Sequence, residues 1–244
     1  MAKEEYIFGM HPVMEAIKSQ KDIDKVFIQS DLRGPNVTSL RKLLKEYKVS
    51  SQNLPLGRMN HLYKKNHQGV VAFLSPIQFQ PYQEVLAKAF EKGKAPVVLI
   101  LDRISDVGNF GAICRTAECL GVDSIIIPVK GSAQINAEAI KRSSGALLRV
   151  NVSRERDLTA VANNLKEYGL QIIACSEKTD LSISKGEYKL PTAIIMGSEE
   201  NGINSELLKV ADKHLKIPML GSITSLNVSV STGIILYELV RQRS

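Results

Sequence analysis

Three stretches of the sequence combine side chains that could do chemistry, and each follows an apolar run. In the first, residues 101–121, Asn109 stands where it can cap a helix, and Gly108 and Gly111 allow the backbone to approach a ligand closely. Arg115 has Gly and Cys one turn away on either side, so its guanidinium is available to a phosphate or a carboxylate. An ion pair between helices explains this arginine equally well.

The second stretch, residues 194–203, places two adjacent carboxylates after an apolar strand, and Gly202 is predicted to close the turn. Glu199 and Glu200 could act as a general acid and base, but adjacent residues point in different directions, so we expect only one to face a cleft. From the residues alone we favour a structural role, in which Ser198 caps a helix and the acidic residues stabilise its N-terminus.

The third stretch, residues 217–240, carries more hydroxyl and amide side chains than the start of one helix requires. They are Ser222, Thr224, Ser225, Asn227, Ser229, Ser231 and Thr232. One N-cap uses one such side chain, so the others need further partners or a ligand. A capped helix that is rich in small residues and packs tightly on another surface is the alternative interpretation.

The elements around these stretches alternate in type, as in a doubly wound parallel sheet. Strands are predicted at VVLILD, SIIIP, LLRVNVS, LQIIAC, TAIIMG and HLKIP, and helices at about 109–120, 136–142, 157–168, 204–210 and 226–242. Continuously apolar strands are covered on both faces. Ligands bind such sheets beyond the carboxyl ends of the strands, so the loops after Leu101, Met196 and Ile217 should hold the chemistry.

The N-terminal third predicts a smaller α/β domain, with strands KVFIQ and GVVAFLS and a helix capped by Asn36. Residues 1–80 carry 12 basic and 7 acidic side chains, and 8 of the 13 Phe and Tyr lie at or before Tyr82. This combination favours RNA with unpaired bases, although a solvated lysine face over an aromatic core explains it as well. We therefore predict a small domain at 1–75, a linker and lead-in helix at 76–93, and a second domain at 94–244.

The composition excludes several classes of protein. The 244 residues are 44% hydrophobic and 23% charged with a net charge of +7, as in an ordinary globular chain. No run approaches the roughly 18 apolar residues of a membrane helix, and no secretory signal is visible, so we expect a cytoplasmic protein. The three cysteines and four histidines lack the spacing of a disulfide frame or metal site. The absent glycine fingerprint disfavours a nicotinamide-dependent oxidoreductase.

Together the three stretches resemble the motifs of the SpoU (TrmH-type) family of RNA ribose 2′-O-methyltransferases, within the SPOUT class. The motifs are DRISDVGNFGAICRTA, IIMGSEENGI and SLNVSVS, and the resemblance extends to the opening YIFGMHPVMEAI and to HQGVVA at 67–72. Val107, Glu200 and Ser231 stand where the family more often has Pro, Gly and Ala. These departures bear on substrate preference and leave the groups with chemical roles in place.

The resemblance implies that residues 1–75 form a substrate-binding domain. It implies that residues 94–244 form an α/β methyltransferase domain with a C-terminal trefoil knot, which binds S-adenosylmethionine, and that the protein is a homodimer with its sites near the subunit interface. It implies that Arg115 assists loss of the 2′-hydroxyl proton or stabilises the charge that develops there. The residues that orient this reaction would be Asn109, Glu199, Ser225 and Asn227. The cofactor pocket would comprise Gly197, Ile217, Met219, Leu220, Gly221, Leu226 and Ser229.

The implied substrate is RNA, and the two-domain layout resembles bacterial enzymes that methylate a guanosine of 23S ribosomal RNA. Related enzymes act on transfer RNA or on an adenosine whose methylation confers antibiotic resistance, and the motifs do not separate them. The main alternative from another class is a non-catalytic RNA-binding or ribosome-assembly factor, because residues 108–111 match the GxxG loop of KH domains. Failure to bind S-adenosylmethionine would favour that alternative.

Overall fold

A computed structural model of the chain describes residues 5–64, 66–198 and 200–244. The chain divides into two compact units. The first runs to Gln78 and includes Gln134–Ala137, and the second comprises Phe79–Ala133 and Glu138–Ser244. None of the helices in the described ranges has the length and apolar character that a membrane span needs.

The first unit is a four-stranded sheet in the order β1-β4-β2-β3, with helices on both faces. Its elements are β1 (Tyr6–Phe8), α1 (Met10–Lys18), β2 (Ile23–Gln29), α2 (Pro35–Glu46), β3 (Ser50–Leu54), α3 (Leu56–Leu62) and β4 (Val70–Leu74). Strands β2 and β3 are parallel, whereas β4 is antiparallel to β1 and β2. Alternate residues of β4 face opposite sides, so Val70 packs with α1 and α2 while Val71 packs with α3.

Half-buried aromatic rings occupy the face of this sheet that carries α3. Tyr6 lies in edge-to-face contact with Tyr63 and Phe73, at ring-centroid distances of 5.4 and 4.8 Å. Phe8 and Phe27 also approach Tyr63, at 6.4 and 6.1 Å. These rings pack on one another and on a small cluster that includes the buried Met59 of α3, which favours the aromatic-core interpretation over rings that stack on RNA bases.

Two expectations for the first unit are corrected. Helix α2 begins at Pro35 with Gly34 as its N-cap, because a proline without an amide hydrogen suits the first helical position, so Asn36 is not the cap. The sequence pattern also missed β1, β3 and α3. Strand β3 buries only Ser50 and Leu54, and α3 only Met59, so neither has a readable apolar period.

The second unit is a six-stranded sheet in the order β10-β8-β9-β5-β6-β7, and all its neighbouring strands are parallel. Its elements are α4 (Tyr82–Glu91), β5 (Val97–Asp102), α5 (Val107–Cys119), β6 (Ser124–Pro128), α6 (Ala137–Arg142), β7 (Asn151–Glu155), α7 (Leu158–Glu167), β8 (Gln171–Cys175), β9 (Thr192–Gly197), α8 (Ser205–Val210), β10 (Lys213–Leu215) and α9 (Val228–Arg243). Every residue of β5 and β6 is buried, so the predicted α/β fold with a doubly covered parallel sheet is confirmed.

The boundaries differ from the sequence pattern in two places. The run LLRVNVS is not one strand, because Gly145 adopts a φ of 84° and a 3-10 turn at Ala146–Leu148 precedes β7, which starts at Asn151. The last helix begins at Val228, two residues later than expected. The segment from 216 to 227 thereby remains outside helix and strand, as the third stretch requires if it is to contact a ligand.

Candidate active site

The first two stretches meet because β5 and β9 are neighbours that end together, with Asp102 opposite Gly197. The buried Asp102 carboxylate accepts a hydrogen bond from the Asn204 amide at 2.7 Å and two from the Arg103 guanidinium at 2.9 Å each. Arg103 also donates to the Gly202 carbonyl at 3.1 Å. The hydrogen bonds to Asp102 raise the pKa of Arg103, so the guanidinium stays charged, and its contacts tie the two loops together.

Sequence reasoning missed Asp102 and Arg103. A carboxylate that ends a wholly apolar strand is the signal that could have found them, since a buried charge requires partners. Arg103 also adopts a left-handed φ of 60°, which the pattern of residue types did not predict.

The second stretch forms a tight turn on itself. The Ser198 carbonyl accepts from the Gly202 amide at 2.9 Å, and Gly202 has a φ of 62°. A Cβ at Gly197 would lie 2.3 Å from the backbone of Gly202 and Ile203, so only glycine fits there. Gly197 therefore shapes the loop by allowing the chain to pack against itself.

The expected capping role of Ser198 is wrong. Its hydroxyl accepts from the Asn201 amide at 3.3 Å within the turn, whereas α8 starts later with Asn204 as its N-cap. Glu199 lies outside the described residues, and Glu200 is exposed.

In the first stretch, Asp106 and not Asn109 caps α5. The Asp106 carboxylate accepts from the Asn109 amide at 2.7 Å, so Asn109 lies within the first helical turn. Capping by Asp106 leaves the Asn109 side-chain oxygen to accept a hydrogen bond from Nδ2 of Asn227 at 2.9 Å.

Gly111 contacts protein rather than a ligand. A Cβ added there would lie 2.4 Å from Cβ of Arg142, at the end of α6. The expectation that Gly111 admits a ligand is corrected, because its missing side chain allows α5 to pack on the end of α6.

The third stretch is joined to the first through Asn227, the N-cap of α9. Its Oδ1 accepts from the amide and the hydroxyl of Ser229, at 2.9 and 2.6 Å, while its Nδ2 donates to Asn109. Asn109, Asn227 and Ser229 thus form a hydrogen-bonded chain, and 118 residues separate the two asparagines. Helix α9 packs against α5 alongside this chain.

Arg115 lies on α5 and is exposed. Within the described ranges it makes no hydrogen bond or ion pair, so the alternative of an ion pair between helices finds no support there. Ser225 is likewise exposed and has no hydrogen-bond partner among the described residues. The structure thus brings three candidate residues into contact and leaves the polar groups of Arg115 and Ser225 available.

The residues that the resemblance assigns to a cofactor lie mostly in the segment between β10 and α9. Ile217 is half-buried, whereas the exposed fractions of Met219, Leu220 and Leu226 are 36, 102 and 38%. A Cβ at Gly221 would meet no atom within 4 Å. Uncovered apolar side chains beside open space and irregular backbone suit an adenine and a thioether.

A cavity of about 410 Å³ opens elsewhere, at the amino end of the sheet where Val97 starts β5. Lys94, Lys189, Gln242 and Arg243 contribute to its walls, and none of the predicted site residues does. In the part of the chain that the structure describes, no cluster of His, Cys, Asp or Glu is arranged to hold a metal ion.

Two sequence families match the chain. Residues 6–80 match the family described as RNA 2′-O ribose methyltransferase substrate binding, and residues 96–237 match the SpoU rRNA Methylase family. A protein of Staphylococcus saprophyticus named as a TrmH family tRNA/rRNA methyltransferase is 32% identical over 242 residues, 99% of this chain and 97% of that protein. One from Staphylococcus haemolyticus with the same name is 33% identical over 237 residues, 97% of this chain and 95% of that protein.

Solved structures agree with these matches. The SpoU methyltransferase AviRb of Streptomyces viridochromogenes, in complex with the cofactor AdoMet, has a TM-score of 0.63 at 22% identity, covering 99% of this chain and 91% of that one. This likeness shows the fold. The A. aeolicus TrmH/SpoU tRNA modifying enzyme is 31% identical with a TM-score of 0.57, covering 65% of this chain and 84% of that one. Because the SpoU match spans more than half of the residues and relatives of similar length share about a third of them, the chain belongs to the SpoU family of RNA methyltransferases.

Proposed function

We propose that the protein transfers a methyl group from S-adenosylmethionine to a ribose 2′-hydroxyl of RNA, with a guanosine of 23S ribosomal RNA as the target. The observation that carries the proposal is the hydrogen-bonded chain of Asn109, Asn227 and Ser229, together with Arg115 on the same helix as Asn109, which has no partner among the described residues. The description of the family that matches residues 96–237, SpoU rRNA Methylase, supports ribosomal RNA as the target class.

The cofactor fits the segment between β10 and α9. We assign Met219, Leu220 and Leu226 to cover its apolar parts, Gly221 to leave room for it, and the irregular backbone to supply hydrogen bonds. The further members of this pocket are Gly197, Ile217 and Ser229. When bound, S-adenosylmethionine supplies a methyl group on a sulfonium centre, which is an electrophile.

The chain's own task is to make a weak nucleophile react, because a ribose hydroxyl must lose its proton around the moment of attack. Arginine holds its proton at neutral pH and is a poor base. Arg115 therefore binds the target phosphate or the 2′-oxygen and stabilises the negative charge that develops on that oxygen. Glu199 and Ser225 complete the set that orients the ribose and the methionine end of the cofactor.

We also propose that residues 1–75 are the RNA-binding domain, 76–93 the linker and lead-in helix, and 94–244 the methyltransferase domain. The excess of basic side chains in the first 80 residues supports this division, since Lys and Arg neutralise phosphates. Exposed Val230 and Tyr237 on α9 support a homodimer that covers them. The enzyme would act in the cytoplasm, where its RNA substrates are.

Transfer of a labelled methyl group to unmodified 23S ribosomal RNA, 16S ribosomal RNA and transfer RNA, followed by nucleoside analysis, tests the proposal. We expect 2′-O-methylguanosine in 23S RNA. We expect Arg115→Ala to abolish transfer while its S-adenosylmethionine affinity stays within a few-fold, and Arg156→Ala, a matched exposed arginine, to retain full activity.

Each of the other outcomes leads to a different conclusion about the function of the protein. Methylation of transfer RNA alone moves the target to that class. Cofactor binding without transfer to any naked RNA points to a precursor particle as the substrate. Turnover by Arg115→Ala removes the role given to that residue, and the absence of both transfer and cofactor binding favours a non-catalytic RNA-binding factor.

A further inference from the structure

The turn before β4 holds a glutamine in a conformation that glutamine disfavours. The His67 carbonyl accepts from the Val70 amide at 2.9 Å, and the two central residues, Gln68 and Gly69, have φ angles of 49° and 76°. Positive φ at both central positions is what a type I′ turn requires, and Asn-Gly, Asp-Gly or Gly-Gly are the sequences that suit it. A glutamine at the first central position is strained, so the turn alone does not account for its presence.

The other non-glycine residues with positive φ in the described ranges have local explanations. Gln20, Lys48 and Ser144 each follow a helix and close its last turn. The amide after each of them donates to the carbonyl five residues earlier, at 2.9–3.0 Å. Arg103 is fixed by the contacts of its guanidinium with Asp102 and Gly202. Helix α3 ends at Leu62, so no helix end explains Gln68.

The residues on either side of Gln68 are locked in place. Nδ1 of the buried His67 accepts from the Gly69 amide at 3.0 Å, and its Nε2 donates to Oδ1 of Asn60 at 2.8 Å. A Cβ at Gly69 would lie 2.9 Å from Oε1 of Gln29, so this glycine is packed against β2. The backbone of Gln68 is therefore held rigidly between two buried neighbours.

The side chain of Gln68 is presented at the surface. It is exposed and makes no hydrogen bond with any described residue. Its Oε1 would lie 3.2 Å from a Cβ at Gly9, so the bare backbone of Gly9 leaves room for the amide. A rigid, strained backbone that presents a carboxamide with no partner among the described residues is typical of a ligand-recognition site.

We propose that Gln68 is a specificity-determining residue that reads the edge of an unpaired nucleobase in the RNA substrate, an inference that rests on the proposed function. A carboxamide donates and accepts hydrogen bonds side by side, which matches the Watson–Crick or Hoogsteen edge of a base. The basic side chains of the same unit attract phosphates without regard to the RNA sequence. The aromatic rings on the sheet face that carries α3 pack on one another. Gln68 supplies the directional contact that neither of these groups provides.

The test compares Gln68→Gly and Gln68→Asn with Gln20→Gly, a matched variant of an exposed glutamine that also has positive φ. The probes are unmodified 23S ribosomal RNA and a transfer RNA pool, and the readouts are RNA affinity, methyl-transfer kinetics and melting temperature. For Gln68→Gly we expect an equal or higher melting temperature, because glycine suits the turn. We also expect about ten-fold weaker affinity and higher KM for the preferred RNA, with kcat and cofactor affinity unchanged. Gln68→Asn should retain part of the affinity, and Gln20→Gly all of it.

Two results overturn the inference. One is a Gln68→Gly protein that binds both RNAs as tightly as the parent protein does, and the other is a parent protein that binds neither RNA. If Gln68→Gly loses RNA affinity while the parent protein neither transfers a methyl group nor binds S-adenosylmethionine, the inference stands and the proposed function is rejected. If Arg115→Ala abolishes methyl transfer while Gln68→Gly keeps the KM of the parent protein, the proposed function stands and the inference is rejected.

Discussion

Asn109 and Asn227 show how capping decides which polar side chains remain available for a site. Both Asp106 and Asn109 are residues that helix N-caps prefer, so the sequence alone could not choose between them. In the structure the carboxylate takes the cap of α5, and the Asn109 oxygen accepts from Asn227. Residue types and family motifs identified these positions, whereas the assignment of each hydrogen bond required the fold.

Asn109→Ala tests this contact. It removes the acceptor for Nδ2 of Asn227 but leaves the caps of α5 and α9 intact, so we expect a loss of stability of about 1 kcal/mol. The rate of methyl transfer should fall by an order of magnitude or more, because Asn227 and Ser229 lose a fixed orientation. Single-turnover kinetics and thermal melting measure the two effects, with Asn163→Ala, which changes an exposed asparagine of α7, as the control. Unchanged kinetics in Asn109→Ala would show that the contact serves only the fold.

At the scale of the elements, the carboxyl ends of β5 and β9 define the site because they are neighbours in a parallel sheet. Continuous apolar runs predicted both strands, and the rule that ligands bind beyond their carboxyl ends predicted where to look. The sequence predicted a turn closed by Gly202, but it did not predict that the backbone of this turn packs directly against Gly197. The close approach at Gly197 depends on distances of a few ångströms, which periodicity does not encode.

Gly197→Ala measures how much this turn matters. The added methyl group would overlap the backbone of Gly202 and Ile203, which cannot yield as a flexible side chain can, so we expect a loss of about 2 kcal/mol or more. Gly57→Ala is the matched control. A Cβ there meets nothing within 4 Å and lies in α3, so this variant should be neutral or more stable by up to about 1 kcal/mol. Urea unfolding of both variants is the measurement, and equal midpoints would contradict the packing argument.

Across the whole molecule, the C-terminal helix is tied to the start of the sheet by Arg243. Its guanidinium donates to the carbonyls of Tyr188 and Leu190, at 2.7 Å each, and to that of Ala95. The carbonyls of Tyr188 and Leu190 precede β9, and that of Ala95 precedes β5. One side chain therefore connects distant parts of the chain. Sequence patterns gave the strands and helices of this unit, but not its strand order, in which β10 pairs with β8. The trefoil knot and the homodimer that the family resemblance implies stay predictions.

Arg243→Ala removes all three hydrogen bonds, although the Leu190 carbonyl still accepts from the Thr192 hydroxyl at 2.7 Å. We expect it to lower the free energy of unfolding by about 3 kcal/mol and the melting temperature by several degrees. Arg149→Ala removes an exposed arginine whose carboxylate partner is 3.7 Å away, and should change stability by about 0.5 kcal/mol or less. Calorimetry measures the melting temperatures of both variants. Similar values would show that the hydrogen bonds of Arg243 contribute little to stability.

The position of Arg243 also sets the order in which a newly made chain can mature. Ala95 and Arg243 are 148 residues apart, and at roughly 10 residues per second a ribosome needs about 15 s to make the intervening chain. The residues whose carbonyls accept from this arginine are all synthesised before it. The second unit can therefore complete these contacts only after Arg243 has been synthesised. Until then the nascent sheet lacks these three hydrogen bonds and is exposed to chaperones and proteases.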